Sequence, residues 1–110
     1  MTGKFSNQGT IVAVSGTIVH TAPDNNISEV QSMRFSNIAA AALTIQKYVA
    51  ATATTITIYT VSLDEGDIFT DEYGYHLDEN DYIKVISDIA GTSFIVRGVD
   101  SPNINVVRCK

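Results

Sequence analysis

The chain is 110 residues long with a formal net charge of −5 and only 17% charged residues, the size of one domain able to bury roughly two thirds of its unfolded surface. Its seven basic residues, Lys4, Arg34, Lys47, Lys84, Arg97, Arg108 and Lys110, are scattered in the sequence and make no stripe, which argues against a nucleic-acid partner. A single cysteine, Cys109, excludes an internal disulfide framework and a cysteine-rich zinc site, and reads as an exposed thiol near the end of the chain.

Residues 1–8 (MTGKFSNQ) are polar and lack both alternation and an apolar run that could serve as a signal-peptide core. They suit an N-terminal arm lying on an adjacent subunit, with residues 9–110 forming one β domain. No run of about eighteen apolar residues occurs anywhere, so no membrane-spanning helix is expected. The expectation is a soluble chain made in the cytoplasm, without a membrane partner.

Thr, Ile and Val dominate, tryptophan is absent, and proline occurs only at positions 23 and 102, a composition that favours strands. Residues 9–20 (GTIVAVSGTIVH) read as extended chain bent at Gly16, and residues 22–26 (APDNN) as a turn. In residues 30–38, Met33 and Phe35 share one alternating face with Gln31, opposed by Ser32, Arg34 and Ser36. Residues 36–49 are ambiguous: Ile38, Ala42, Ile45 and Val49 have helical spacing, while residues 43–48 alternate. A loop or single helical turn over the alanines followed by a strand is the favoured reading.

Further on, residues 54–62 (TTITIYTVS) form a strand with Ile56 and Ile58 on one face, and residues 67–70 enter another. The sequence Tyr73-Gly74-Tyr75 turns toward Leu77, and residues 82–87 alternate. Residues 88–92 read as a hairpin connection, residues 93–99 pair back on the preceding strand, and residues 103–108 close the domain or form an arm. The fold class expected is all-β, an antiparallel β-sandwich or jelly-roll-like barrel of about eight short strands.

One phrase occurs twice, fourteen residues apart: Leu63-Asp64-Glu65-Gly66-Asp67 and Leu77-Asp78-Glu79-Asn80-Asp81, each followed by apolar residues. Each leucine can end a strand by pointing into the core. Gly66 and Asn80 are the residue types that most readily accept φ > 0, and Asp67 and Asp81 can each accept from nearby backbone amides. The acidic cluster therefore reads as turns at the rim of a sandwich. It matches no EF-hand loop, and a glycosidase pair needs a cleft with sugar-stacking aromatics.

His20 and His76 are the only histidines and read as structural. No G-x-S-x-G elbow, phosphate loop or dinucleotide fingerprint is present. No catalytic residue, metal or cofactor is expected. Tyr73, Tyr75 and Tyr82, around the second acidic phrase, combine apolar area with a polar tip; with Phe5 of the arm they are the candidate interface residues.

Taken in order, Met33-Arg34-Phe35-Ser36-Asn37, the alternation at Leu43-Thr44-Ile45, the double acidic phrase, Ile83-Lys84-Val85 and the closing Phe94-Ile95-Val96-Arg97-Gly98-Val99 resemble small β-sandwich structural proteins of tailed bacteriophages. The pattern departs at Ala39-Ala40-Ala41-Ala42, and Asn80 stands where glycine is usual. The resemblance implies a non-enzymatic virion subunit (capsid decoration, neck or collar, or tail). Such a subunit is homo-oligomeric and acts through contacts with its own copies and neighbouring virion proteins. A stand-alone β-sandwich module recognising a cell-surface ligand is the alternative.

Overall fold

The computed structural model describes residues 3–11, 15–37, 39–89 and 91–102. The expected closing segment, residues 103–108, and Cys109 lie outside them. Nine strands follow in order: β1 Gly3–Thr10, β2 Thr17–Thr21, β3 Asn26–Ser36, β4 Ala41–Val49, β5 Thr54–Leu63, β6 Ile68–Asp71, β7 Tyr75–Leu77, β8 Tyr82–Ser87 and β9 Ser93–Pro102. They form two antiparallel sheets. One has the order β1-β9-β3-β6, with β7 also on β3, and the other β2-β8-β4-β5.

These pairings have a simple origin. β1 pairs with β9, β2 with β8, β3 with β6 and β7, and β4 with β5, so the chain is one long hairpin whose tip is the turn between β4 and β5. Because β6 and β7 lie along successive stretches of β3, they share one strand position. Rolling this hairpin up brings β9 beside β3 and β8 beside β4. The result is a jelly roll, within the expected all-β class. No helix of the described residues is long and apolar enough to cross a membrane.

Alternation then builds the core. Met33, Phe35, Phe94 and Val96 of one sheet face Leu43, Ile45, Ile83 and Val85 of the other, all buried. Phe69 lies 6.3 Å from Phe35 within its own sheet and meets Tyr59 of the opposite sheet edge-on at 5.8 Å. Side chains of both sheets thus interlock, as close packing requires.

Four expectations need correction. Residues 3–8, expected as part of an arm lying on an adjacent subunit, pair residue by residue with β9 of their own chain, and Phe5 packs against the core. β8 and β9 are not hairpin partners, because β8 belongs to the sheet of β2 and β4 and β9 to that of β1 and β3. Gln31 does not share the face of Met33, since a bulge between Val30 and Ser32 shifts the register and leaves Gln31 exposed. Ile56 and Ile58 are separated by a second bulge, where Ile45 pairs with Tyr59 and Gln46 with Thr57; Ile58 packs on the core while Ile56 stays 50% exposed.

β1 is seated by a close approach. Phe5 lies across from Gly98, and a Cβ built at Gly98 would stand 2.0 Å from the Glu29 carbonyl oxygen and 2.6 Å from the Phe5 ring. At Gly66 the same atom would meet nothing within 4 Å, the only demand being φ = 81°. Gly98→Ala should therefore cost about 3 kcal/mol, by displacing Phe5 or the backbone of β3. Gly66→Ala should cost about 1 kcal/mol, from strain alone. Urea unfolding of the two variants checks the order.

Candidate functional site

The two acidic phrases fold into equivalent corners. In the first, the Asp64 N–H donates to Asp67 Oδ2 at 3.0 Å and the Asp67 N–H returns to the Asp64 carbonyl at 3.1 Å. In the second, the Asp78 N–H donates to Asp81 Oδ2 at 3.1 Å and the Asp81 N–H to the Asp78 carbonyl at 3.0 Å. Gly66 (φ 81°) and Asn80 (φ 67°) occupy the left-handed position, with Leu63 and Leu77 buried just upstream. That conformation turns each N–H outward to another segment: Gly66 donates to the Asn37 carbonyl at 3.1 Å and Asn80 to the Ala22 carbonyl at 2.9 Å. The bonds are reciprocal, since the Asn37 N–H donates to the Asp67 carbonyl and the Ala22 N–H to the Asp81 carbonyl.

The carboxylates of the two corners nonetheless differ in their work. Asp67 is exposed, whereas Asp81 is only 1% exposed and also accepts from the Ala50 N–H at 2.8 Å, tying the β4–β5 tip to the corner. Asn37, at the first corner, accepts at its side-chain oxygen from the Thr92 hydroxyl at 2.6 Å. Asp67 and Asp81 are thus turn formers; among the described residues, no group of three or more His, Cys, Asp or Glu side chains is placed to hold a metal ion.

A second polar cluster joins the sheets, and no local motif announces it. His20 of β2 is 8% exposed and stacks on Phe5 of β1 with ring centroids 3.7 Å apart. Its Nε2 lies 3.0 Å from Ser28 Oγ and 3.2 Å from Asp100 Oδ1, and its Nδ1 2.8 Å from Asn7 Nδ2. The Ser28 hydroxyl donates to Asp100, and the Asn7 amide also donates to the Val19 carbonyl at 2.9 Å. A neutral ring carrying its proton on Nε2 satisfies every contact: Nδ1 accepts from Asn7, and Nε2–H donates toward Ser28 and Asp100.

Serine, histidine and aspartate invite comparison with a hydrolase triad, but the geometry differs. A triad places serine and carboxylate on opposite ring nitrogens, whereas here both sit at Nε2 and Ser28 is fully buried. The cluster is a cross-sheet staple. Burial holds the His20 pKa below its ordinary value, opposed by the Asp100 carboxylate. His76, half-exposed between Glu29 at 2.7 Å and Asp78 at 2.9 Å, is shifted upward by hydrogen bonds to those carboxylates.

The tyrosines and Phe5 do not gather into one patch. Phe5 is inside the sandwich on His20. Tyr82 stacks on Tyr48 at 4.7 Å on the outer face of the β2-β8-β4-β5 sheet. Tyr75 packs against the core and its hydroxyl donates to Asp71 Oδ2 at 2.5 Å; burial and that bond push its pKa well above the usual phenol range. Only Tyr73 is open to solvent, at 82%. Conversely, folding gathers basic residues that are scattered in sequence: Lys4, Arg97 and Arg34 fall on the outer face of the β1-β9-β3-β6 sheet.

No family model matches the chain, and no curated protein matches it. Solved structures do. A subunit of Bacillus endospore appendages, described as disulfide-linked pili, superposes with a TM-score of 0.59 at 13% identity, over 93% of this chain and 87% of that one. A chain of the T13 IBDV viral particle, from an icosahedral virus, gives 0.54 at 10% identity over 90% of this chain. The match spans only 30% of that viral chain. At such identities the likeness is one of fold.

Two outcomes follow from these geometries. Asp81→Ala should cost about 2–3 kcal/mol by stranding two backbone N–H groups, against less than about 1 kcal/mol for Asp67→Ala at its exposed corner; denaturant midpoints compare them. For His20, a lowered folded pKa means the unfolded chain binds the proton first. Its contribution is therefore complete above about pH 6.5 and is lost as pH falls through the folded value. His76 has the opposite sign, its contribution being complete below about pH 6.5 and lost as pH rises through its raised value. In a His76→Gln background, unfolding free energy should decline as pH falls below about 6.5, and adding His20→Asn should flatten that decline.

Proposed function

We propose that this chain is a non-enzymatic structural subunit of a bacteriophage particle (capsid decoration or cement, neck or collar, or tail). It works through contacts with copies of itself and with neighbouring virion proteins. It is made in the host cytoplasm and resides in the virion. The sequence resemblance motivates the phage assignment. That a pilus subunit and a viral-particle chain share the fold is consistent with the coarser reading of an assembly subunit.

The observation that carries the proposal is strand β5. It is a sheet edge ten residues long, with no charged residue or proline along its length. Thr54, Thr55, Ile56 and Thr57 are exposed. A free monomer ordinarily guards such an edge with charge, proline or a covering segment; here one bulge at Ile58 is the only interruption. Apart from that bulge, the described residues leave this edge of β-branched residues without charge or proline, and such an edge is what an assembling subunit offers to a neighbour.

Sedimentation velocity and negative-stain microscopy of the full chain test the reading. Concentration should drive it into discrete oligomers or particles, and Ile56→Lys should raise the half-assembly concentration at least about tenfold. The folded chain's melting midpoint should hardly move, because Ile56 is half-exposed. A wild-type chain that remains monomeric at every concentration would refute the assembly reading. Purified phage particles that lack the chain would refute the virion assignment alone.

A further inference from the structure

We propose that the outer face of the β1-β9-β3-β6 sheet docks the acidic corner of a second copy of this chain, with Arg34 and Arg97 gripping the carboxylates of that copy's Asp64 and Glu65. The proposal rests on the assembly reading above and names one contact within it.

The receiving surface is built by register. Arg34 of β3 stands beside Ile95 of β9 and Thr70 of β6, and Arg97 of β9 beside Ser32 of β3. The arginines are therefore diagonal neighbours on adjacent strands, close enough for both to reach one ligand. With Ser32, Thr70, Ile95 and Glu72 they line a shallow depression of about 190 Å³. Lys4 lies on the same face of β1, two residues from Ser6, the partner of Arg97. Neither guanidinium has a hydrogen-bond or ion-pair partner among the described residues. Glu72 shares the depression yet forms no ion pair with either. Paired guanidinium forks with nothing to bind match carboxylates in geometry and charge.

The chain's own acids identify the occupant. Most are already engaged: Glu29, Asp67, Asp71, Asp78, Glu79, Asp81, Asp88 and Asp100 each accept from a group in the same chain. Asp24, Asp64, Glu65 and Glu72 have carboxylates without a partner among the described residues, and of these only Asp64 and Glu65 are adjacent. They are exposed on the first corner, beside Gly66, whose Cβ position is open space. Two neighbouring carboxylates thus face two neighbouring guanidinium groups across different patches of the same molecule. A basic face also repels its like, which disfavours face-to-face pairing. The contact joins unlike patches, so it closes a two-fold dimer where both copies reciprocate it and propagates into a ring or filament where they do not. Glu72 is the internal competitor for the same arginines, and Glu72→Gln should strengthen assembly.

Charge reversal in the full chain tests this by sedimentation velocity. Relative to wild type, Arg34→Glu/Arg97→Glu and Asp64→Arg/Glu65→Arg should each raise the half-assembly concentration at least about tenfold. An equimolar mixture of the two variants should assemble again, because each supplies the complement of the other's reversed patch. Combining all four reversals in one chain should restore assembly too. Neutral Arg34→Gln/Arg97→Gln and Asp64→Asn/Glu65→Gln repeat the test with milder changes, and circular dichroism confirms folding. Wild-type assembly should also weaken as salt rises from 0.01 to 1 M and the screening length contracts from about 30 to about 3 Å.

Wild-type assembly that is indifferent to both reversals, or that the mixture fails to restore, overturns this contact while leaving the assembly reading intact. A chain that is monomeric throughout overturns both. Saturation of the arginine Nε signals by inorganic sulfate, with assembly unaffected by reversal, would assign the face to a free oxyanion and overturn the proposal.

Discussion

Everything in this fold depends on keeping two limbs of one hairpin paired while both bend from one sheet to the other. A strand that turns a corner loses its ladder, and the freed backbone groups must find partners or be hydrated. The repeated acidic phrase solves this twice. At each corner a residue with φ > 0 directs its N–H across to the other limb, and the aspartate that follows it satisfies an N–H of its own turn. Asn37 and Ala22, where the outgoing limb leaves β3 and β2, receive and return those bonds. The leucine before each corner is buried, so apolar packing and backbone pairing fix the same bend. A third crossing, between β1 and β2 on one limb and β8 and β9 on the other, is joined by the Ile11 N–H donating to the Thr92 carbonyl at 2.7 Å.

This device accounts for much of the chain's acidic character. Most carboxylates accept hydrogen bonds from their own chain, and the conspicuous histidine, serine and aspartate cluster is turned inward as a staple between β2 and the opposite sheet. What remains available is the periphery: an uncharged edge along β5, an exposed Tyr73, a basic outer face and an acidic corner. On the proposed assembly reading these features supply the contacts, and the acidic corner directly continues the β5 edge.

Much of the fold was legible because its signals are local. Alternation marked the strand cores and Gly66 and Asn80 marked the corners; the strand expected after the alanines is present, but it begins within them, at Ala41, where a loop or single helical turn was expected. Long-range pairing was not legible. Nothing in residues 3–8 announces a partner in β9, because the seating depends on Gly98, far along the chain, lacking a side chain under Phe5. The path from β8 to β9 resembled a hairpin because connection length alone does not say which sheet receives the next strand. The bulges at Gln31 and Ile58 each shift an alternation that periodicity carries straight through. His20, Ser28 and Asp100 meet only after the roll closes, and so do Arg34 and Arg97. The site was harder to read than the fold because it consists almost entirely of such encounters.

The central claim is that the two corners hold the limbs together by reciprocal backbone bonds, and native-state hydrogen exchange measures this directly. The amides of Gly66 and Asn80 belong to exposed residues, so without the cross-limb bonds they would exchange at the rate of any open turn. The account requires that these amides, together with those of Asn37 and Ala22, exchange only through the same opening that releases the core strands. Exchange of Gly66 and Asn80 at open-turn rates, while the amides of β3 and β8 stay protected, would contradict it.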